Sequence, residues 1–445
     1  MLAVVVSRAD RASEHIGEQL LALGDWAAHE DETTPDAEGG GRVYRTDGVE
    51  LRSFDELHID AEGLAEPFDD PDLLFVVSRH SGDTGPLLTA HPTGNAGQAA
   101  FGGAPESFAR AAPNALAELL DAFDDHAPDG YGVAMECTHH GPTDIDVPSL
   151  FVELGSDDEQ WDDPAGARAV ARAVLECRAV DAERDRQLVG FGGGHYARRF
   201  ERVVRETDWA VGHVLADWTL EDMAHPREAT EVIDRAFEQS GATRALVDGE
   251  YPVIESVIAE LGYRVVSETW VRETTDVPAA TAEQLESALA TVDDGLRFGE
   301  PATGYEGEFT VGQLPTALAE EAANVDTDAA RAAVAASVLA FETEQGGTRP
   351  VGRVAIPADA TLDAVVHGLA DVLAAKYDEI RVTDDAVVAR ERRFDPERAA
   401  ELGVGEGPAF GRLAAGESVE VDGRRVEPEE VHESRSVRFA VDTAH

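Results

Sequence analysis

The sequence predicts an α/β domain, built on a mixed twisted sheet with helices on both faces, and an appended α+β domain. Apolar runs of strand length alternate with helical periodicity through residues 1–272, an order that is typical of layered α/β folds. Residues 273–445 differ: they are rich in Ala and acidic residues, and their elements are short and mixed. We therefore expect a domain boundary close to residue 272.

The predicted elements of the first domain are apolar runs and amphipathic stretches separated by Gly, Pro and acidic residues. The strands are expected at residues 2–6, 43–51, 73–77, 131–136, 149–154, 188–191, 210–216, 245–247 and 263–266. The helices are expected at about 13–23, 109–123, 164–180, 227–239 and 252–261. Residues 82–103 contain many glycines and are too long for an ordinary connection, which predicts a binding loop and a candidate lid.

The chain is strongly acidic, with 89 Asp and Glu residues against 36 Lys and Arg and a formal net charge of -53. Because 43% of its residues are hydrophobic, the acid is expected on a folded surface and not in a disordered tail. Lys376 is the single lysine. This composition indicates a cytosol of very high salt, where screening acts over about 3 Å at 1 M and acidity does not exclude an RNA partner.

Cysteine content and apolar run lengths bound the cellular setting. The only cysteines are Cys137 and Cys177, too few for a disulfide framework and compatible with a reducing compartment. The first residues lack the basic region of a signal peptide, and no apolar run reaches the roughly 18 residues of a membrane span. We expect a soluble cytoplasmic protein without a membrane partner, as a monomer or small homo-oligomer.

Three polar segments each follow a predicted strand of the first domain: Ser78–Gly82, Glu136–Pro142 and Gly192–Tyr196. Open α/β sheets bind ligands at the carboxyl ends of their strands, so these segments are expected to converge. They carry His80, Glu136, His139, His140 and His195. Imidazole and carboxylate are the usual ligands of zinc, and the sequence therefore predicts a Zn²⁺ crevice.

Individual roles in this crevice stay open. Glu136 could ligate the metal, act as general base for a water, or fix a histidine tautomer. Cys137 could be a nucleophile beside His139, but a thiol at the end of a strand is more often buried and inert. His139 and His140 are adjacent, so an extended backbone would send their side chains to opposite sides. We then expect one of them, His140, to face the metal.

The run Gly192–Gly194 precedes a predicted helix and could hold a phosphate through backbone N–H groups. It lacks the lysine of a P-loop, and a glycine run can equally serve a tight turn. Arg198 and Arg199 follow it and favour an anionic ligand slightly.

These three segments, in this order and spacing, resemble the archaeal-type D-aminoacyl-tRNA deacylases, of which halophilic members carry a C-terminal extension. The likeness runs to about residue 270 and includes the opening Val-Val-Ser-Arg-Ala-Asp and the Phe-Val-Glu of residues 151–153. It implies a zinc-dependent hydrolase that cleaves the ester between a D-amino acid and the terminal adenosine of tRNA, a chiral proofreading step in translation. It also implies a fold similar to peptidyl-tRNA hydrolases and nucleoside phosphorylases.

The resemblance makes residues 1–272 the catalytic deacylase domain and assigns roles within it. The implied metal ligands are His80, Glu136, His140 and His195, and the implied catalytic residues are Glu136, His139 and His140. The implied substrate-binding residues are Ser78, Arg79, Ser81, Gly193, Gly194, Tyr196 and Arg198.

Two other functions remain open at this point. One is a metal-free enzyme similar to peptidyl-tRNA hydrolases or nucleoside phosphorylases, and the other is a non-enzymatic RNA-binding protein with structural histidines. The role of residues 273–445 is also open. Leu402–Leu413 resembles a segment of the tRNA 3′-end-processing hydrolases of the metallo-β-lactamase class, which predicts that Phe410 and Arg412 meet the tRNA acceptor end. The alternative is a compact module that only packs.

Overall fold

A computed structural model describes residues 1–421 and 423–441 of the chain. The chain separates into two units, Met1–Thr275 and a second that starts at Asp276. Within the described residues, no helix is both long and apolar enough to cross a membrane.

The first unit contains alternating strands and helices. Its strands are β1 (Leu2–Ser7), β2 (Ala27–Asp31), β3 (Gly41–Thr46), β4 (Val49–Phe54), β5 (Leu73–Arg79), β6 (Leu87–His91), β7 (Gly94–Asn95), β8 (Ser107–Phe108), β9 (Gly132–Met135), β10 (Ser149–Gly155), β11 (Gln187–Gly192), β12 (Ala210–Leu215), β13 (Arg244–Asp248) and β14 (Arg264–Val266). Its helices are α1 (Arg11–Leu23), α2 (Pro113–His126), α3 (Asp158–Trp161), α4 (Pro164–Glu176), α5 (Arg198–Glu206), α6 (Asp217–Asp222), α7 (Thr230–Gln239), α8 (Pro252–Glu260) and α9 (Glu268–Glu273).

The largest sheet of this unit is mixed, with the strand order β2-β3-β4-β1-β5-β10-β6-β9. Its central strands β4, β1, β5 and β10 are parallel, whereas β6 runs antiparallel to β10. Leu2–Ser7 is buried at every position, as expected for a strand covered on both faces. The predicted mixed α/β architecture is confirmed at this level.

The two faces of the central strands are covered differently. On one face lies α1, where Gly17 packs so closely on Val6 that a Cβ would lie 3.0 Å from a valine methyl carbon. The other face is covered by side chains from outside the helices, among them Leu64, Phe68 and Ile145. Helices on both faces were predicted, but Gly63, Pro67 and Pro71 interrupt the covering segment and prevent a helix there.

A second sheet in this unit has the order β12-β11-β13-β14 and is parallel throughout. One face packs on α7 and α8 through residues such as Phe237 and Ile254. On the other face, Gly190 of β11 leaves room for Phe200 of α5, since a Cβ there would lie 2.8 Å from the ring. The sequence pattern did not reveal that these strands leave the first sheet.

Backbone hydrogen bonds join the two sheets at the segment after β9. Cys137 N–H donates to the carbonyl of His195, and Thr138 N–H donates to the carbonyl of Val214. Glu136 also pairs with Tyr196 in an isolated antiparallel bridge. The predicted polar segments at Glu136 and at Gly192 are thus held side by side.

Residues 82–103 are not one long loop, although a binding loop and candidate lid were predicted there. They contain β6, which is inserted between β10 and β9 of the large sheet and is buried from Leu88 to His91. Glycine and proline flank the short run Leu87–His91, and this concealed its strand character.

The second unit has separate helices and antiparallel sheets, as expected for an α+β fold. Its strands are β15 (Leu296–Phe298), β16 (Phe309–Gln313), β17 (Ala340–Glu344), β18 (Arg349–Pro357), β19 (Glu379–Thr383), β20 (Ala386–Phe394), β21 (Val419–Val421), β22 (Arg424–Val426) and β23 (His432–Ala440). Its helices are α10 (Ala279–Ala288), α11 (Thr316–Val325), α12 (Thr327–Ala335), α13 (Asp363–Leu373), α14 (Pro396–Glu401) and α15 (Pro408–Ala414). Phe410 packs on Phe394 with ring centroids 4.9 Å apart, whereas Arg412 is exposed.

Candidate metal and active site

Strand ends of the large sheet deliver the first part of the site. His80 follows β5, His91 ends β6, and Glu136 follows β9. Glu153 lies within β10, whose parallel register places it opposite Ser78 of β5. The second sheet contributes His195, which follows β11. The convergence of His80, Glu136, His139, His140 and His195 that the sequence predicted is present in the structure.

Glu136 occupies the centre of the crevice and is fully buried. Its Oε1 lies 2.9 Å from Nδ1 of His80, and its Oε2 lies 3.1 Å from Nε2 of His195 and 3.6 Å from Nε2 of His139. Among the described residues, neither carboxylate oxygen has a hydrogen bond of good geometry. Burying an ionised carboxylate without hydrogen bonds costs free energy unless a cation lies beside it.

A second buried carboxylate, Glu153, lies on the other side of His80. Its Oε2 is 3.4 Å from Nδ1 of His80, and its Oε1 is 3.6 Å from Nε2 of His91. Ser78 Oγ donates to Oε1 at 2.9 Å and Thr89 Oγ1 donates to Oε2 at 3.3 Å. Sequence reasoning missed Glu153 and His91 as site residues. A carboxylate within the apolar run of β10 was the available signal.

His139 and His140 do not diverge as predicted for an extended backbone. His140 has a φ of 45°, in the left-handed region, and the two ring centroids are 4.5 Å apart. His91 stacks on His139 at 4.1 Å. The turn therefore brings three imidazoles together where the sequence predicted one inward-facing residue.

Hydrogen bonds fix the tautomers of these two histidines. Nδ1–H of His139 donates to the carbonyl of Cys137 at 2.8 Å, and Nδ1–H of His140 donates to the carbonyl of Gly141 at 2.6 Å. Each Nε2 is then a bare acceptor when the ring is neutral. The Nε2 lone pair of His139 faces Oε2 of Glu136, an arrangement that is favourable only with a proton or a metal ion between them.

The charge states of the site follow from burial and from the two carboxylates. Burial, together with His91, lowers the pKa of His139 to about 3, and burial lowers the pKa of His140 well below its usual value. Burial opposes the charge on His80, but Glu136 and Glu153 outweigh it and raise the pKa of His80 to about 11. Burial likewise disfavours ionised Glu136, yet His195 and His80 hold its pKa below its usual range. The crevice thus contains ionised carboxylates and two neutral imidazoles, those of His139 and His140, whereas the carboxylates favour a proton on His80, which a metal ion bound to that ring would have to displace.

The donor set fits a metal ion. Three groups have ligand atoms within 4.8 Å of one another: His91, His139 and His140; Cys137, His139 and His195; and His80, Glu136 and Glu153. Of the predicted metal ligands, His80 and His195 meet at Glu136, whereas His140 belongs to the group around His91. Nitrogen and carboxylate oxygen donors are the ligand types that zinc uses in catalytic sites.

Cys137 is buried next to this crevice. Its Sγ lies 3.7 Å from Nδ1 of His195, and burial raises the pKa of its thiol to about 12, with Glu136 acting in the same direction. The thiol is protonated at neutral pH, which favours the inert interpretation over the nucleophile. His213 is buried behind it, between Thr138 Oγ1 and the carbonyl of Ala109, and is structural.

The predicted substrate-binding residues are divided among several places. Arg79 and Ser81 line a cavity of about 310 Å³ above the histidines. Tyr196 hydrogen bonds to Nε2 of His80 at 3.0 Å, and with Arg198 it lines a separate cavity of about 560 Å³ beside α5. Ser78 is buried and bonds to Glu153, so it supports the site from behind. Gly193 has a φ of 78° and Gly194 is exposed beside it, which suits a tight turn and leaves the phosphate role a prediction.

A further cavity of about 500 Å³ lies on the other side of the histidines. It shares Phe101, His139, His140 and His195 with the smaller one. Its remaining walls come from the β7 segment and from α6. The histidine cluster therefore lies at the junction of two cavities.

Comparisons with known proteins identify the family of this chain. A sequence profile described as D-aminoacyl-tRNA deacylase matches residues 67–266. A protein of Natronomonas pharaonis named D-aminoacyl-tRNA deacylase is 55% identical, covering 99% of this chain and 100% of its own length. A protein of Halorubrum lacusprofundi with the same name is 53% identical, covering 100% of this chain and 97% of its own length. A third protein with this name, from Methanoregula boonei, is 32% identical, covering 93% of this chain and 94% of its own length.

A solved crystal structure, described as a conserved protein of unknown function, is also similar. It has a TM-score of 0.56 and 28% identity, over 62% of this chain and 98% of its own. The full-length matches include halophilic archaea, in line with the composition, and they extend through the second unit. This chain belongs to the D-aminoacyl-tRNA deacylase family.

Proposed function

We propose that this protein is a zinc-dependent hydrolase that cleaves the ester of D-aminoacyl-tRNA to free D-amino acid and tRNA. Family membership supports the deacylase activity. The observation that supports the metal is Glu136, a buried carboxylate without a well-formed hydrogen bond, surrounded by the nitrogens of His80, His139 and His195. In a metal-free enzyme, protonated His80 would instead be the partner of this carboxylate, and the metal content of the purified protein separates the two cases.

The proposed metal ligands are His80, Glu136, His140 and His195. Glu153 and His91 are proposed as neighbouring residues that orient these ligands. When bound, zinc would polarise the ester carbonyl and bring the pKa of a water toward about 7. His139 and His140 stay neutral at neutral pH because their pKa values are lowered, so both present a bare Nε2 to the crevice. Glu136, held ionised at the centre of the site, is proposed as a metal ligand or as the acceptor of a proton, and in the first case His139 or His140 takes the proton.

The surroundings of the site bear on the substrate. The two cavities that meet over His139 can take the two sides of an ester, and we propose that the walls of one admit a single hand of the amino acid by shape. Residues 1–272 are the proposed catalytic domain, similar in fold to peptidyl-tRNA hydrolases and nucleoside phosphorylases. Residues 273–445 are proposed to contact tRNA, and the setting is proposed to be cytoplasmic.

Metal removal tests the proposal. Protein purified at molar KCl should contain zinc by elemental analysis, and dialysis against a chelator should remove both the zinc and the hydrolysis of D-tyrosyl-tRNA. Zinc should restore activity, whereas Mg²⁺ should not, because nitrogen ligands suit zinc and magnesium prefers oxygen. Full activity in metal-free protein would contradict the proposal and favour a metal-free hydrolase.

Cys137→Ala separates a thiol nucleophile from an inert thiol. We expect the variant to keep both its zinc content and its hydrolytic rate close to those of the unmodified protein, since the raised thiol pKa leaves little thiolate. Single-turnover hydrolysis and elemental analysis measure the two quantities, and Cys177→Ala is the matched control, because that thiol is also buried. Complete loss of hydrolysis with zinc retained would make Cys137 the nucleophile.

A further inference from the structure

Two aromatic side chains at the cavity of about 500 Å³ are unusually exposed. Phe101 is 69% exposed and Trp218 is 47% exposed. Among the described residues, the other exposed large hydrophobic side chains are Val253 and Val311, and both are less exposed than these two aromatic residues. Phe101 and Trp218 both line the cavity of about 500 Å³ that borders the histidines. Aromatic faces left open to water beside a polar reaction centre are typical of surfaces that stack nucleic acid bases.

The segment that carries Phe101 is fixed in place. Asn95 Nδ2 donates to the carbonyls of Gly102 and Ala104 at 3.0 and 3.2 Å. The carbonyl of Phe101 accepts from the N–H of Gly141, the residue after His140. A backbone hydrogen bond therefore links Phe101 to the turn that contains His139 and His140.

Trp218 is held from the opposite side. It follows Asp217, whose N–H donates to the carbonyl of Gly193 at 2.9 Å and whose carboxylate accepts from Tyr251 OH at 2.7 Å. At the end of α6, Asp222 Oδ2 accepts from the N–H of Gln98 at 2.7 Å, which joins α6 to the segment before Phe101. Both aromatic residues thus belong to pre-formed walls, and little ordering is needed to bind a flat ring.

The two cavities differ in a way that assigns the two halves of an ester. The smaller one, about 310 Å³, is lined by Glu153 and Arg79 together with Leu57 and Ile59, which suits an amino acid with a charged amino group and a variable side chain. The larger one offers the aromatic walls and more room, which suits a nucleoside.

We propose that the cavity lined by Phe101 and Trp218 binds the adenine of the terminal nucleotide of tRNA, and that the smaller cavity binds the aminoacyl group. This places the ester over His139, His140 and His195, which both cavities share together with Phe101, and leaves Trp218 as the aromatic residue that lines the adenine cavity alone. The inference rests on the proposed deacylase function and names the substrate half that each cavity recognises.

The test compares two esters of D-tyrosine, one with adenosine and one with ethanol, at molar KCl. Trp218→Ala should lower kcat/KM for the adenosine ester by roughly 5- to 150-fold, the range expected for loss of one stacked base. The ethyl ester should be hydrolysed as before, because it lacks the base. AMP should inhibit the unmodified protein competitively, and its inhibition constant should rise by a similar factor in Trp218→Ala and in Phe101→Ala.

Two further variants complete the design. Trp218→Phe keeps an aromatic face and should restore most of the preference for the adenosine ester. Val253→Ala, at an exposed apolar residue that does not line this cavity, should change neither ester.

The outcomes separate this inference from the proposed function. Equal losses on both esters, or no loss on either with unchanged AMP inhibition, would overturn the adenine site while D-tyrosyl-tRNA hydrolysis by the unmodified protein still supported the deacylase. If the ethyl ester is not hydrolysed at all, the inhibition constants of AMP decide whether the adenine site exists: unchanged constants in Trp218→Ala and Phe101→Ala would overturn it. Failure of the unmodified protein to hydrolyse D-tyrosyl-tRNA would overturn the proposed function first.

Discussion

Glu136→Gln should reduce the hydrolysis of D-aminoacyl-tRNA by about 10²- to 10⁴-fold, the range that removal of a catalytic proton acceptor produces. The amide keeps the shape of the side chain but removes the negative charge that lies 2.9 Å from His80 and 3.1 Å from His195. Bound zinc should fall in parallel, because a neutral amide is a poor ligand for it. Single-turnover hydrolysis and elemental analysis on the same preparation measure both effects.

Glu18→Gln is the matched control for Glu136→Gln, because Glu18 is an exposed carboxylate of α1. It should change neither hydrolysis nor zinc content. If Glu136→Gln retained full activity with full zinc, the central role given to this carboxylate would be wrong. If it kept its zinc and lost only activity, Glu136 would be the general base and not a ligand.

His140→Ala should abolish hydrolysis and leave tRNA binding intact. The substitution removes one Nε2 from the group formed with His91 and His139, and loss of a metal ligand or its neighbour costs at least about 10- to 100-fold. We expect the contacts with the tRNA body to lie outside this turn, so binding to uncharged tRNA should persist. Hydrolysis of D-tyrosyl-tRNA and equilibrium binding of tRNA are measured on the same variant.

His126→Ala controls for general effects of removing an imidazole, because His126 lies at the end of α2 and pairs with Glu176 at 2.8 Å, outside the crevice. It should match the unmodified protein in both measurements. Loss of tRNA binding together with hydrolysis in His140→Ala would assign the histidines to recognition and support a binding protein.

The convergence of the polar segments was predicted on the premise that parallel strands end at one edge of a sheet, but β9 runs antiparallel to β5, and β11 belongs to the second sheet. Ser78–Gly82 and Glu136–Pro142 followed recognisable apolar runs, and the structure brings their histidines together around Glu136. Residue types alone also indicated the kind of ligand set. Periodicity and chemistry therefore predicted which segments meet, but not the strand directions that bring them together.

The pairing of strands could not be predicted from the sequence pattern. Glu153 joins the site only because β10 aligns beside β5 in a register that sets Glu153 against Ser78. His91 joins it because β6 enters the sheet between β10 and β9, although its flanks resemble a loop. Such register and insertion depend on contacts between distant segments, which a local pattern does not encode.

Local backbone geometry explains the other difference. An extended chain would have separated His139 from His140, but the φ of 45° at His140 turns both rings to one side. Left-handed residues other than glycine are uncommon, so nothing in the residue types predicts one at His140. The predicted divergence of the two side chains was wrong for this reason, whereas the choice of His140 as the residue that faces the metal stays a prediction.

The most direct test of the account is hydrolysis of D-tyrosyl-tRNA and L-tyrosyl-tRNA, measured side by side at molar KCl with zinc-loaded protein. We expect rapid release of tRNA from the D-ester, a rate on the L-ester that is close to spontaneous hydrolysis, and loss of the D-specific rate after chelation. Equal rates on the two esters, or a D-specific rate that survives metal removal, would contradict a zinc-dependent chiral proofreading enzyme.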